Sequence, residues 1–172
     1  CPQLILIPAD FNKYFEISKK FLNICKDYSP IIEMFSLDEL FIDVTKTEHL
    51  FGGVQNIIKK IKERIKTEIG KYITVSIGIS HNKLLAKLAS GIDKPDGVFE
   101  INSRNFEEVY KNIELTKLCG IGERIKERLN KNAIYKIPDL RACSKNVLNS
   151  APYLSILEQS VSINPAYPFY YL

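Results

Sequence analysis

The sequence has no tryptophan, one methionine, two histidines and only four cysteines in 172 residues. The cysteines lie far apart and form no C-x-x-C pair. This pattern predicts reduced thiols of an intracellular protein, with neither a zinc site nor a disulfide framework. No apolar run approaches the roughly 20 residues that span a bilayer, so we expect no membrane segment. The distant pair His49 and His81 gives little support for a histidine-based metal site or triad.

The chain begins at Cys1 without an initiating methionine, and no stretch of signal-peptide type follows. We therefore expect this sequence to be a piece of a longer protein. Its composition, 45% hydrophobic and 26% charged, is ordinary for a globular protein. The net charge of +4 is unevenly spread, because residues 10–45 carry −3 and residues 46–80 carry +4. An acidic patch beside basic segments suits a metal centre that acts on a polyanion.

Hydrophobic periodicity predicts alternating helices and strands along the first two thirds of the chain, with Asp10 as a helix N-cap. The predicted helices cover residues 10–28, 54–69, 82–90 and 106–112. The predicted strands cover residues 30–35, 40–45, 72–79 and 98–101. This order indicates an α+β fold with helices packed on one face of a sheet, which leaves the other face for a substrate.

From residue 115 onward the pattern changes to short helices and turns, which predicts a second, small helical domain. The aromatic residues near the end, Tyr153 and residues 167–171, lack the basic neighbours of a base-stacking surface. We expect them in the core or at a ragged end.

The adjacent carboxylates Asp38 and Glu39 lie where one strand-like stretch gives way to another. Clustered acids at strand ends are a common way to hold magnesium, which prefers oxygen ligands and shares them with substrate phosphates. Successive strand residues point to opposite faces, so both side chains can reach one cation only if the backbone turns there. A solvated hairpin tip is the alternative interpretation of this pair.

A second candidate segment covers residues 80–97. Lys83 and Lys87 are four apart and share a helix face, which suits contacts to a nucleic acid. Lys94 is held at a turn by Pro95, which suits a fixed cation for a phosphate group. A solvated lysine face is the alternative for this segment taken alone.

A third candidate is the Gly120-Ile121-Gly122 turn, which precedes a predicted helix over residues 123–130. The glycines allow a tight turn, and their amides with the helix N-terminus form an anion site to which Lys126 could add a phosphate contact. This arrangement resembles a helix-hairpin-helix module, which binds nucleic-acid backbone without reading sequence. An ordinary corner between two helices is the alternative.

Three segments in this order strongly resemble the Y-family translesion DNA polymerases of the DinB and UmuC type. They read S-L-D-E-L-F-I-D-V-T, then T-V-S-I-G-I-S-H-N-K-L-L-A-K-L-A-S-G-I-D-K-P-D-G-V, then L-C-G-I-G-E-R-I-K-E-R-L. The resemblance extends from residue 1 to about residue 148. It implies a ferredoxin-like polymerase palm over residues 1–112 and an all-helical thumb with a helix-hairpin-helix over residues 113–172.

The resemblance also implies roles for individual residues. Asp38 and Glu39 match two of three acidic ligands of two Mg²⁺ ions, Lys94 matches the lysine that contacts the incoming dNTP, and residues 120–122 match the thumb contact to primer-template DNA. The third carboxylate, the residue that excludes ribonucleotides and the fingers would precede Cys1. We therefore expect this segment alone to be inactive.

The same resemblance implies a cytoplasmic protein, at the nucleoid in bacteria or in the nucleus in eukaryotes, with a sliding clamp bound through regions outside this chain. One alternative is a non-catalytic DNA-binding fragment. Another is a diguanylate-cyclase-like palm, but Ser36 and Leu37 stand where that family needs paired glycines. The K-P-D-G turn and the G-I-G turn also have no place in it.

Overall fold

The computed structural model describes residues 1–143 and 169–171. Its centre is one sheet of five strands in the order β1-β2-β5-β3-β4. The strands are β1 Ile31–Met34, β2 Leu40–Asp43, β3 Ile77–Ser80, β4 Val98–Glu100 and β5 Phe169–Tyr171. Neighbouring strands are antiparallel except for β3 and β4, which are parallel.

The described residues form six α-helices. They are α1 Phe11–Lys26, α2 Val54–Arg64, α3 Lys83–Ser90, α4 Phe106–Asn112, α5 Glu123–Lys131 and α6 Ile137–Ala142. Short 3-10 turns cover Glu48–Phe51 and Leu115–Lys117, and a π-helical turn at Ile65–Ile69 continues α2. Among the described residues no helix is both long and apolar enough to cross a membrane.

The helix starts follow from local capping. Asp10 is the predicted N-cap of α1, and its Oδ1 accepts a hydrogen bond from the amide of Lys13 at 3.0 Å. Asn82 caps α3 in the same way, with Oδ1 2.8 Å from the amide nitrogen of Leu85. Each cap satisfies an amide that has no partner within its own helix.

The first core lies between the sheet and the pair α1 and α2. The isoleucine stripe of α2 and its continuation, formed by Ile57, Ile58, Ile61 and Ile65, is buried there and packs against Ile42 and Ile77 of the sheet. Phe21 and Ile24 of α1 are buried in the same cluster. Helices α1 and α2 therefore cover one face of the sheet, as the sequence predicted.

The opposite face is covered as well, so the prediction of helices on one face only is wrong. Ala86 of α3 packs against Phe41 and Tyr171 in a separate buried cluster. Gly78 explains this close approach, because a Cβ at that position would lie 1.9 Å from the carbonyl oxygen of Ala86. A strand residue without a side chain lets the backbone of α3 rest directly on β3.

Two strand predictions need correction. The strand predicted over residues 72–79 begins only at Ile77. Ile77 is the first residue that pairs with β4, and Gly78 is the first that pairs with β5. The last described residues, which were assigned to the helical thumb, instead form β5 between β2 and β3. Tyr171 is buried, as one of the two predictions for the tail required. The rest of the tail and the thumb prediction over residues 144–168 lie outside the described residues.

A second core joins α3 to the helices that follow β4. Leu85 and Leu88 share it with Tyr110 of α4 and with Ile134 and Ile137 from the region of α6. The predicted change to short helices after residue 115 is confirmed up to residue 142. This core holds the later helices against the element that carries Lys83 and Lys87.

Candidate metal and nucleotide site

The two acidic residues lie at the tip of the hairpin formed by β1 and β2. The amide of Phe35 donates to the carbonyl of Glu39 at 2.9 Å and closes the turn. Inside it, the hydroxyl of Ser36 lies within hydrogen-bond distance of both carboxylates, 2.8 Å from Asp38 Oδ1 and 3.2 Å from Glu39 Oε2, so that its one proton is shared between them. The backbone therefore turns as the shared-cation hypothesis required, because both carboxylates reach one small group.

Glu39 is also held from the opposite side by Lys87. The ammonium of Lys87 lies 2.8 Å from Glu39 Oε1, with about a third or less of either side chain exposed. The hydroxyl of Tyr171 hydrogen-bonds with both groups. Burial opposes ionisation of Glu39, but the hydrogen bonds from Lys87 and Tyr171 outweigh it and lower the pKa of the carboxyl.

Aromatic rings fix the position of the Lys87 ammonium. It lies 4.4 Å from the ring centre of Phe35 and 4.5 Å from that of Tyr171, within the range of cation–π attraction. Burial, followed by the hydrogen bond to Glu39 and the charge of that carboxylate, raises the pKa of the Tyr171 hydroxyl. Tyr171 is therefore a neutral hydrogen-bond donor at any physiological pH.

A cavity of about 670 Å³ opens beside the acidic tip. Asp38 and Glu39 form part of its wall, and Lys94 lines it from the turn between α3 and β4. The remaining lining includes Tyr14 and residues 73–76, which precede β3. The fold thus brings together three side chains that the sequence singled out separately, since Lys94 follows the acidic pair by more than fifty positions.

The donor chemistry of the tip fits magnesium. Mg²⁺ is usually held in proteins by one or two carboxylates together with waters and substrate phosphates. Asp38 and Glu39 provide two such carboxylates around one hydroxyl. Among residues 1–143 and 169–171 no group of three or more His, Cys, Asp or Glu is placed to hold a metal.

The other predicted contact residues lie away from this cavity or have partners of their own. Lys83 forms a salt bridge with Glu33 of β1, and Lys87 is engaged with Glu39 as described above. Their predicted contacts to DNA stay predictions. These two lysines anchor α3 to the hairpin that carries the acidic tip.

The Gly120-Ile121-Gly122 turn has the conformation that its sequence suggested. Gly120 has a positive φ of 92°, Ile121 is buried in the second core, and Gly122 is the N-cap of α5. Lys126 lies one turn into the helix, 3.5 Å from a carboxylate oxygen of Glu123. None of these residues lines the cavity. A role in DNA binding stays a prediction.

Sequence reasoning missed the partners of the predicted residues. It did not find Ser36 or Tyr171 as contacts of Glu39, nor the lysines Lys62 and Lys66 that bind Asp96 beside Lys94. Each pair except Ser36 with Glu39 joins distant parts of the chain. Only the helical spacing of Lys62 and Lys66 could have indicated that they act together.

A mixed sheet with an acidic hairpin tip beside a cavity resembles the polymerase palm that the sequence predicted. Comparison with solved structures agrees. The chain aligns with DinB from Sulfolobus solfataricus at a TM-score of 0.76 and 27% identity, covering 94% of this chain and 49% of that one. A ternary complex of Dbh DNA polymerase aligns with a TM-score of 0.79 at 27% identity, covering 96% of this chain and 48% of that one.

Sequence comparison identifies the family. Residues 1–91 match the impB/mucB/samB family model. DNA polymerase IV of Acetivibrio thermocellus is 38% identical over 148 residues, which are 86% of this chain and 37% of that protein. DNA polymerase IV of Marinomonas sp. is 37% identical over 151 residues, 88% of this chain and 42% of that protein.

The chain belongs to the impB/mucB/samB family of Y-family DNA polymerases. It spans about two fifths of the length of the curated relatives that it matches.

Proposed function

We propose that this chain is the nucleotide-binding and catalytic part of a DNA polymerase that copies damaged templates. The reaction is transfer of a nucleotidyl group from a dNTP to the 3′-hydroxyl of a primer. One observation carries the proposal: Asp38, Glu39 and Lys94 line the same cavity. Carboxylates for metal ions and a fixed cation for phosphates are the parts that phosphoryl-transfer chemistry needs.

In this proposal Asp38 and Glu39 hold two Mg²⁺ ions together with the triphosphate and a ligand from another part of the polymerase. When bound, the ions activate the primer hydroxyl and stabilise the leaving pyrophosphate. Lys94, which lines the same cavity, pairs with the phosphates. Lys87 and Ser36 orient the two carboxylates, because each donates a hydrogen bond to one or both of them.

The helical region after residue 112 is proposed as a thumb that holds primer-template DNA. The turn at Gly120 and the N-terminus of α5 offer backbone amides to a phosphate, and Lys126 lies on the same helix. A sliding clamp would bind elsewhere in the protein. The proposed place of action is the cytoplasm, at the nucleoid of a bacterium or in the nucleus of a eukaryote.

Primer extension tests the catalytic proposal. In the full-length protein, Asp38→Ala and Glu39→Ala should each reduce extension by about a hundredfold or more, because each removes a ligand for the metal ions that stabilise the transition state. Affinity for primer-template DNA should change little. A matched control is Glu33→Ala, which removes a carboxylate from the same hairpin outside the cavity.

The non-catalytic alternative makes the opposite prediction. A protein that only binds DNA would bind duplex in a salt-dependent manner without magnesium, and Asp38→Ala would leave all of its measurable activity intact. Normal extension by the Asp38→Ala and Glu39→Ala variants would therefore overturn the catalytic proposal.

A further inference from the structure

The turn that carries Lys94 has an unusual backbone. Asp96 has a positive φ of 55°, a conformation that residues with a Cβ rarely adopt. Gly97 follows it, and a Cβ there would lie 1.8 Å from the carbonyl oxygen of Asp93. The carbonyl of Gly97 accepts a hydrogen bond from the amide of Ile77 at 3.0 Å, which ties the end of the turn to β3. The turn is therefore tight and fixed to the sheet at one end.

Two lysines fix the middle of this turn. Lys62 of α2 donates from Nζ to the backbone carbonyl of Asp96 at 2.5 Å and to its Oδ1 at 2.9 Å. Lys66 donates to the other carboxylate oxygen, Oδ2, at 2.9 Å. The Lys62 side chain is only 15% exposed. Every oxygen of Asp96 is therefore held by an ammonium group.

These lysines are themselves held by a rigid element. They are four positions apart, so they project from the same side of α2 and its π-helical continuation. The same element carries Ile57, Ile58, Ile61 and Ile65, which are buried in the first core beside these lysines. Because Lys62 and Lys66 hold Asp96, the position of the turn is set by a helix that is packed in the first core, and not only by the backbone of the loop.

This arrangement has two consequences for Lys94. Asp96 lines the same cavity, and a carboxylate without cation partners would repel phosphates and compete for the ammonium of Lys94. Pairing with Lys62 and Lys66 removes both effects. Within residues 1–143 and 169–171, Lys94 itself takes part in no ion pair within 4.0 Å. Its charge is therefore available to a ligand in the cavity.

We infer that Lys62, Lys66 and Asp96 are positioning residues that hold the turn so that Lys94 meets the triphosphate of the incoming nucleotide. The inference rests on the proposed function, because it takes a nucleoside triphosphate as the ligand of the cavity. It assigns a function to three residues that do not contact the reacting atoms. The three act through Lys94, and that property can be measured.

A double-mutant cycle tests it in the full-length protein bound to primer-template DNA with Mg²⁺. The measured quantity is the dissociation constant of an α,β-imido deoxynucleoside triphosphate, which binds without reacting. Lys62→Met and Lys94→Met should each weaken binding by roughly three- to tenfold, and Lys62→Met should add less than about twofold when Lys94→Met is already present.

Controls separate this from loss of folding. Lys59→Met makes the same change on the same helix at an exposed side chain and should leave the dissociation constant unchanged. Lys62→Arg, which keeps a donor, should recover part of the affinity lost in Lys62→Met. If Lys62→Met does not fold, as judged by thermal unfolding, Lys66→Met at a half-exposed position takes its place in the cycle.

Two results would overturn the inference and leave the proposed function intact. One is an unchanged dissociation constant in Lys62→Met while Lys94→Met weakens binding. The other is an equal loss from Lys62→Met with and without Lys94, which would indicate a general structural role. A third result, no effect of Lys94→Met, would overturn the proposed role of Lys94 and the inference with it.

Discussion

The ammonium of Lys87 lies 2.8 Å from Oε1 of Glu39, although the two residues are 48 positions apart. Lys87 comes from α3 and Glu39 from the hairpin tip, so this ion pair joins the two elements that flank the candidate site. The Tyr171 hydroxyl adds a second donor to the same carboxylate. Glu39 is consequently fixed in orientation before any metal or nucleotide binds.

Removing the Lys87 donor should raise the pKa of Glu39. In Lys87→Gln the burial of the carboxyl remains while the main opposing hydrogen bond and charge are lost. Tyr171→Phe should produce a smaller rise, because it removes a hydrogen bond and no charge. The carboxyl carbon of Glu39, followed by NMR through a pH titration, gives the value directly. An unchanged titration in Lys87→Gln would show that the ion pair is absent in solution.

The protein should lose stability in acid through Glu39 and Asp96. The pKa of each carboxyl is lowered in the folded state, in Asp96 by the hydrogen bonds from Lys62 and Lys66. Such groups stabilise the fold above the unfolded pKa, near 4, and that contribution is lost as pH falls through the lower folded value. Urea unfolding between about pH 7 and pH 3 measures this loss.

The matched variant for acid unfolding is Asp96→Asn, which tolerates the same backbone conformation. It should show a shallower decline of the free energy of unfolding below about pH 4 than the unmodified protein. Parallel curves for the two proteins would mean that Asp96 makes no contribution to the acid response.

Gly78→Ala should destabilise the fold strongly. Its Cβ would lie 1.9 Å from the carbonyl oxygen of Ala86 and 2.3 Å from the amide nitrogen of Ser90, both of them backbone atoms that cannot rotate away. Overpacking of this kind costs typically about 1–3 kcal/mol, and contact with backbone places this case at or above the upper end. Equilibrium unfolding in urea gives the change in free energy.

Gly122→Ser is the control for that substitution. Gly122 has an ordinary negative φ, no atom lies within 4 Å of its hypothetical Cβ, and serine is a good N-cap for α5. Its unfolding free energy should stay within about 0.5 kcal/mol of the unmodified protein. Equal stability of Gly78→Ala and Gly122→Ser would contradict the close packing of α3 on β3.

Lys126→Gln should weaken binding of duplex DNA uniformly across sequences if the turn at Gly120 contacts the phosphate backbone. Loss of one phosphate contact lowers the slope of log K against log salt by about 1. Lys59→Gln, an exposed lysine on α2, is the control and should leave the slope unchanged. Identical slopes for Lys126→Gln and the unmodified protein would remove Lys126 from the DNA interface.

Local signals in the sequence predicted local structure well. The N-cap Asp10 and the turn at Gly120 act through neighbours within a few positions, so their consequences can be derived from the sequence. The acidic pair was predicted as a site, and the turn that brings both carboxylates to Ser36 satisfied its geometric condition.

Long-range partners could not be derived in the same way. The contacts of Glu39 with Lys87 and of Asp96 with Lys62 depend on how elements pack, and periodicity does not encode that packing. The same limit explains the overlong strand at residues 72–79, because strand length is set by the partner strands. It also explains why β5 was not predicted, because nothing in its three residues indicates that they pair with β2 and β3.

Paramagnetic broadening by Mn²⁺, which substitutes for Mg²⁺ at oxygen sites, tests the central claim most directly. In NMR spectra of the full-length protein with a deoxynucleoside triphosphate present, broadening should centre on the backbone amides of residues 36–40 and 94. The double variant Asp38→Asn, Glu39→Gln should weaken the apparent affinity about tenfold or more, and Glu33→Gln should leave it unchanged. Broadening that is unaffected by the double variant, or that centres elsewhere, would contradict a metal site at Asp38 and Glu39.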